Sequence, residues 1–388
     1  MKNNETELNR RVENCFEQKF SQKPFLVHAP GRINLIGDHT DYNNGYVLPA
    51  AIDRGITMAL AKNGMDTCRL FSLDLKDMLE INLNDGFTIS NKGWANYIIG
   101  VLDGLKSRRI KLEGFDAVFS GNIPIGSGLS SSAALECAAV MGVSELLGKS
   151  LGKEEMIHVA QEAEHKFAGV NCGIMDQFSS VMGKEGHAIR LDCESLKHEY
   201  LPLNIKNAGL VLFDTKVSHS LGDSAYNKRR NECEIGVSIL RKFFPEVKSL
   251  RDADAEMLGI VEMPETVFRR CLYVIEENQR VVKAGTYLKT GLGKELGKLM
   301  FESHEGLKEL YEVSCPELDH IVTEAMKLPH FLGSRMMGGG FGGCTINLIK
   351  DEGREEGIEK IRSSFEERFG HDPGIYHVHA VEGAHVVI

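Results

Sequence analysis

No stretch of this 388-residue chain is apolar for the ~20 consecutive positions that span a bilayer, and its first ten residues, Met1 to Arg10, lack the apolar core of an export leader. A cytoplasmic protein without a membrane partner is expected. Runs of Lys and Arg are missing too. The 45 basic and 55 acidic side chains leave a formal charge of -10 spread along the chain, which argues against a nucleic-acid partner. The nine Cys are scattered with no C-x-x-C pair, so neither a disulfide framework nor a thiolate metal site is expected, and most read as buried thiols. Tryptophan occurs once, at Trp94, and no internal repeat is visible. What remains is an ordinary globular composition, 42% hydrophobic, in a chain long enough for two or three domains whose partners are small molecules.

Glycine is abundant, and its most informative placement is Gly121 to Glu136, reading GNIPIGSGLSSSAALE. A strand-like run, Phe115 to Phe119, feeds a glycine and hydroxyl loop that opens into a helix-forming segment. Gly126 and Gly128 permit positive φ and close approach of the backbone to a ligand. Ser130, Ser131 and Ser132 add hydroxyls beside the first helical N–H groups, where the helix dipole favours a phosphate. Neither the Walker pattern nor G-x-G-x-x-G fits, the first failing at Gly126-Ser127 and the second at Ser131. The same small residues would also serve a helix that merely packs tightly on a sheet.

Elsewhere the polar residues cluster in turns. A helix over Leu8 to Phe20 and a strand over Phe25 to Ala29 precede Pro30 to Pro49, where Arg32, Asp38, His39 and Asp41 crowd one stretch. Asn43-Asn44-Gly45 suggests a hairpin folding that stretch back on a sheet, although a self-satisfied turn would use the same residues. Strands interrupted by turns are expected from Ile56 to Leu83. Trp94 and Tyr97 share one face of a helix running to Leu105, as core or as part of a base-stacking pocket. A helix over Ala133 to Leu147 stops at Gly148, and a second, acidic one covers Glu154 to Phe167. Asp176 follows a break at Gly169 and Gly173 and reads locally as the N-cap of the next helix. His187 to Asp192 and Gly209 to Asp214 suggest a second sheet, and Glu256 to Leu310 looks largely helical. Tyr226, in the polar stretch from Val217 to Arg230, either reaches a ligand or plugs a surface groove. Gly338 to Gly340 either bring backbone amides to a ligand or close a tight hairpin. His377 and His379, without a third ligand, read as surface residues.

Five of these segments, in order, carry a resemblance: GRINLIGDHTDY from Gly31 to Tyr42, PIGSGLSSSAA from Pro124 to Ala134, CGIMDQ from Cys172 to Gln177, the Tyr226 segment, and MGGGFGGC from Met337 to Cys344. Together they resemble the galactokinases, a family of the superfamily that also holds homoserine, mevalonate and phosphomevalonate kinases. The resemblance implies an α/β (α+β) fold of two domains with the active site in the cleft between them. Residues 1–165 would carry the sugar segment and the phosphate loop, and 166–375 the catalytic aspartate and the glycine-rich turn, with 376–388 rejoining the first domain. It implies ATP and Mg2+ as cofactors, galactose as substrate, a monomer, and phosphorylation of the C1 hydroxyl to galactose 1-phosphate as the first step of galactose breakdown.

Carried over residue by residue, the resemblance makes Asp176 the catalytic base and Arg32 its partner. Arg32, Asp38, His39, Asp41, Gly173, Asp176 and Tyr226 would surround the sugar, and Ser132 and Glu164 would hold magnesium. Trp94 and Tyr97 would lie near the adenine, with Pro124, Gly126, Ser127, Gly128, Leu129, Ser130, Ser131, Ser132 and Ala133 along the nucleotide. One departure stands out: Asp38 occupies a position usually filled by Glu, expected to meet the sugar's C6 hydroxyl. The alternatives are a kinase for a galactose-like sugar such as N-acetylgalactosamine, a sugar- and nucleotide-binding sensor, and a superfamily kinase acting on a mevalonate-like or amino-acid substrate. Retention of Ser132-Ala133-Ala134 with Asp176 and Arg32 points to the enzyme rather than the sensor.

Overall fold

The computed structural model describes every residue except 1, 125, 150, 218–221 and 388, and the side chains of 2–4 and 222–224 are likewise outside the description. Ile125 of the glycine loop and part of the polar stretch before Tyr226 therefore lie outside the described residues. The chain builds a six-stranded sheet in the spatial order His385–Val387, Phe25–Asn34, Pro49–Lys62, Phe115–Gly121, Thr67–Ser72 and Asp77–Asn82. Its pairs are antiparallel except for Thr67–Ser72 beside Phe115–Gly121. Strand Phe25–Asn34 is buried along almost its whole length because helices cover both faces, so the sequence shows no polar alternation there. On one face Leu8, Val12 and Phe16 of helix Lys2–Phe20 pack with Leu26, Ala59 and Val118. On the other lies helix Ser131–Leu146, where a Cβ added at Gly142 would come within 2.7 Å of Leu60, so the helix backbone rests directly on the sheet.

A four-stranded sheet in the order Phe331–Met336, Cys344–Lys350, Ala208–Asp214 and Gly374–His377 organises the second half, and a smaller sheet joins Tyr46–Val47, His187–Asp192 and His198–Pro202. The runs at 187–192 and 209–214 are thus both strands but belong to different sheets. The end of the chain also divides: Gly374–His377 pairs with Ala208–Asp214, whereas His385–Val387 pairs with Phe25–Asn34. Helix Glu265–Lys289 packs a separate core of Tyr273, Val274, Leu307, Tyr311 and Leu318.

Three local expectations shift. The hairpin at Asn43 to Gly45 is instead a wide connection between Phe25–Asn34 and Pro49–Lys62, closed by Asn34 opposite Pro49. Inside it a 3-10 turn, Asp41–Asn43, ends at Asn44 with φ 57, and Tyr46–Val47 leaves to pair with His187–Asp192. The acidic helix ends at Ala163 and continues as a π-helical turn, Glu164–Ala168, before Gly169 at φ 77. Asp176 is not an N-cap: helix Met175–Met182 is preceded by Ile174 in that position, and Asp176 lies within the first turn.

Candidate active site

The site begins with an irregularity in a strand. The register of Phe25–Asn34 against Pro49–Lys62 slips between Pro30 and Arg32, a bulge that re-aims the Arg32 side chain. Gly31 sits in the bulge because a Cβ there would lie 2.5 Å from the Leu129 carbonyl oxygen, to which the Arg32 N–H donates at 3.2 Å. Ser180 fixes the same bulge from helix Met175–Met182 through a 2.7 Å bond to the Pro30 carbonyl. The buried Arg32 guanidinium then meets Asp176 as a two-bond fork, Nε to Oδ1 at 2.8 Å and Nη2 to Oδ2 at 2.9 Å, and its Nη1 donates to the Gly128 carbonyl. Ser130, at φ 60 just before helix Ser131–Leu146, does not cap that helix and donates its hydroxyl to Asp176 Oδ2 at 2.5 Å. The strand, the glycine loop and helix Met175–Met182 thus converge on one carboxylate.

Around that carboxylate lies a cavity of about 110 Å³ whose walls include Arg32, Asp38, His39, Asp41, Glu164, Asp176 and Tyr226, with Val170, Cys172, Met175, Gly338 and Gly339. Gly173 has to be glycine, since any Cβ would collide with the Asp41 carboxylate. Burial and the charge of Asp176 push the Asp41 carboxyl up to about 7. His39 takes φ 66 and shares a 2.8 Å bond between Nδ1 and the Tyr42 hydroxyl, while its buried Nε2 has no partner. Burial holds its pKa down to about 3, so the ring is neutral at pH 7. The Tyr226 ring packs 5.3 Å from both His39 and Tyr42, putting Tyr226 in the cavity wall rather than in a surface groove. Asp38 differs from the others. It is 1% exposed, and both its oxygens are engaged, Oδ1 by Asn34 Nδ2 at 3.1 Å and Oδ2 by the fully buried Arg335.

This loop is held from far along the chain. Helix Glu265–Lys289 supplies three anchors: the Tyr273 hydroxyl donates to the Asp38 carbonyl at 2.9 Å, Glu277 Oε1 accepts from the Gly37 N–H at 2.9 Å, and Asn278 Oδ1 accepts from the Tyr46 N–H at 2.8 Å. Arg335 adds a 3.0 Å bond to the Asn34 carbonyl. Sequence reading missed all four. A fully buried Arg in the otherwise apolar and small strand FLGSRM is a visible signal, because charge in such a strand demands a partner; Glu277 and Asn278, in a helix rich in charged residues, carry none.

In the glycine loop Gly126 and Gly128 have φ 75 and φ 73, and the Ser127 hydroxyl closes onto the Pro124 carbonyl at 2.7 Å. Met337 to Gly343 does form the turn of a hairpin, and the turn also rests on this loop: a Cβ at Gly343 would approach the Ser127 carbonyl within 3.2 Å, and one at Gly338 the Gly128 carbonyl within 3.2 Å. Ser132 donates to Glu164 Oε1 at 2.8 Å, and burial together with Asp176 pushes the Glu164 carboxyl up to about 7. Trp94 and Tyr97 stand apart from the cavity, partly buried on helix Gly93–Ser107. The Trp94 indole N–H donates to Asp77 at 2.9 Å, and its ring lies 5.4 Å from that of Phe119.

Family models match the chain in three places: the galactokinase galactose-binding signature over residues 14–62, the GHMP kinases N terminal domain over 96–184, and the GHMP kinases C terminal model over 286–367. A galactokinase of Clostridium acetobutylicum is 38% identical over 382 residues, 97% of each chain. The chain belongs to the galactokinase family. Among solved structures, Lactococcus lactis galactokinase complexed with galactose superposes with a TM-score of 0.92 at 31% identity, covering 97% of this chain and 98% of that one. A mevalonate kinase of Methanococcus jannaschii, at a TM-score of 0.66 and 20% identity over 93% and 99%, shares the fold. The signature covers the Arg32 to Asp41 loop, the N-terminal model the stretch from Gly126 to Asp176, and the C-terminal model the glycine-rich turn and Arg335.

Proposed function

We propose that the chain transfers the γ-phosphoryl group of ATP to the C1 hydroxyl of galactose, yielding galactose 1-phosphate and ADP as the first step of galactose breakdown. The observation that carries this reading is the Asp176 carboxylate, steadied by the Arg32 fork and the Ser130 hydroxyl, at the wall of a small polar cavity. Asp176 accepts the hydroxyl proton as the bond to phosphorus forms, and Arg32 holds the carboxylate in line while balancing negative charge that develops beside it. Phosphoryl transfer runs through a loose transition state, so orientation contributes more than proton removal. The unpartnered His39 Nε2 and the Asp41 carboxylate are the groups that a polyol would satisfy, with Tyr226 closing the wall. A buried acceptor left bare by the wrong epimer is what gives such a site its selectivity.

Magnesium fits the residues present. Ser132 and Glu164 offer two adjacent hard oxygens, and burial, then the charge of Asp176, raises the pKa of both Glu164 and Asp41, a cost of buried negative charge that a cation relieves. Those two residues would hold the ion, which when bound neutralises charge on the transferring phosphates. The glycine loop from Pro124 to Ala133 would cradle the nucleotide phosphates with backbone N–H groups, and Trp94 and Tyr97 would flank the base.

The pairing of Asp38 with Arg335 and Asn34 favours keeping a second substrate in view, because an aspartate whose oxygens are both engaged offers less to a C6 hydroxyl than a free carboxylate would. A galactose-like sugar such as N-acetylgalactosamine is that alternative. The deciding experiment is ADP release with Mg-ATP across galactose, glucose, 6-deoxygalactose, galactosamine and N-acetylgalactosamine, with Asp176→Asn as the blank. Turnover on galactose that vanishes in the variant is expected. Turnover confined to the N-acetyl sugar would replace the substrate, and sugar binding by calorimetry without turnover would make the chain a sensor.

A further inference from the structure

Behind the cleft one amide stands between two buried carboxyl groups. Gln177, wholly buried and adjacent to Asp176, donates from Nε2 to Glu164 Oε2 at 2.6 Å and to Glu136 Oε2 at 3.1 Å. The opposite oxygen of the amide, Gln177 Oε1, has no partner, and neither has Glu136 Oε1, although both residues are 0% exposed. Two bare acceptors on groups already joined by one hydrogen bond are complementary as soon as a single proton lies between them. We infer that Glu136 is a neutral carboxylic acid that donates its proton to Gln177 Oε1, closing a two-bond acid–amide ring, and that this ring makes Glu136 a positioning residue for Glu164.

Three considerations support the ring. Turning the Gln177 amide over would aim its carbonyl oxygen at the Glu164 carboxylate, so the NH2 group faces Glu164. The ionisable groups that interact with Glu136 include Glu164, Asp176, Cys137 and Cys172, none of them a cation, and burial followed by the charge of Glu164 raises the Glu136 carboxyl well above the usual carboxylate range. The ring also leaves Gln177 exactly one free N–H, the one that goes to Glu164 Oε2. That bond, with the Cys172 thiol donating to the same oxygen at 3.5 Å, ties back Glu164 Oε2 and leaves Oε1 turned to Ser132. The functional half of the inference rests on the reading of Ser132 and Glu164 as magnesium ligands; the protonated ring does not.

The test is a titration of the full chain with Mn2+ in the presence of a non-hydrolysable ATP analogue, followed by electron paramagnetic resonance of the free ion. Glu136→Gln can give and accept the same two bonds and is expected to bind Mn2+ within about twofold of the parent, whereas Glu136→Met, of similar volume but unable to hold the amide, should weaken it roughly tenfold or more. Parent-like affinity in Glu136→Met beside a loss in Glu164→Gln would overturn the positioning role. Unchanged affinity in Glu164→Gln would instead remove Glu164 from the metal site. Infrared difference spectroscopy of the parent against Glu136→Gln decides the ring by itself and needs only the conservative variant to fold. A protonated-carboxyl band that persists at about pH 8, far above the ordinary Glu pKa, is expected, and its absence would overturn the assignment.

Discussion

The two loops that meet at Asp176 are built by different means. From Pro124 to Ser130 the shape is written locally: positive φ at Gly126, Gly128 and Ser130, a Ser127 hydroxyl closing on Pro124 three residues earlier, and a helix starting at Ser131. From Leu35 to Tyr46 the shape is imposed from outside. Tyr273, Glu277 and Asn278 of one helix and Arg335 of a distant strand supply the partners for its backbone and for Asp38. The proposed phosphate loop takes its turns from its own glycine and hydroxyl residues and adds long-range bonds only at Gly128, Leu129 and Ser130, whereas the proposed sugar loop, with buried carboxylates and a buried imidazole, needs donors and acceptors from another part of the chain along most of its length.

Breaking the shared point should give the largest effect. Asp176→Asn removes the proposed base and weakens the charge pairing with Arg32 while keeping the shape, and a loss in kcat of about 10²- to 10⁴-fold is expected with nucleotide binding by calorimetry largely intact. Turnover near that of the parent would remove Asp176 from the mechanism. The sugar loop should next be separable from the phosphate loop. Glu277→Leu leaves the Gly37 N–H, the Ser303 hydroxyl and the Arg280 guanidinium without their buried acceptor, so a loss of about 3 to 5 kcal/mol in stability is expected by denaturant melt. A raised KM for sugar should accompany it with KM for ATP little changed; equal rises in both would blur the distinction between the loops.

Gly126→Ala is the converse change. An L-residue forced to φ 75 costs about 1 to 2 kcal/mol, so nucleotide affinity should fall by up to about thirtyfold while sugar affinity stays put, measured by calorimetry with each ligand alone. A last effect is a pH dependence, which Asp41 shares with Glu164 on the other side of the cleft. Folded Asp41 titrates near 7 and an unfolded Asp near ~4, so between those values the folded chain holds a proton that the unfolded chain has released. The contribution of Asp41 to stability therefore declines as pH rises from about 4 to about 7 and is level above. Melts of the parent and Asp41→Asn should diverge across that window, the parent losing ground to the variant, and parallel curves would refute the shift.

Most of the phosphate side was legible in order. The helix after Ser130 and its stop near Gly148, the strand at 115–119 and the glycine positions all follow from turn and helix chemistry that acts within a few residues. Periodicity failed where a nearby segment competed for the backbone. Tyr46–Val47 left the expected hairpin to pair with His187–Asp192, and the acidic helix relaxed into a π-turn at Glu164, where its side chain faces Ser132 and Gln177. The N-cap reading of Asp176 went the same way, since its carboxylate is engaged by Arg32 and Ser130 rather than by its own helix.

By itself the sequence determined the family, the candidate chemistry and the residues that stand around Asp176, because short-range backbone rules and side-chain type are written position by position. Only the tertiary structure decided that Arg335 engages Asp38, that helix Glu265–Lys289 holds the sugar loop, and that Gln177 links Glu136 to Glu164. Each of these is a buried hydrogen bond across 13 to 297 residues, and its strength comes from removal of both partners from water, a condition that exists only once the core has closed around them.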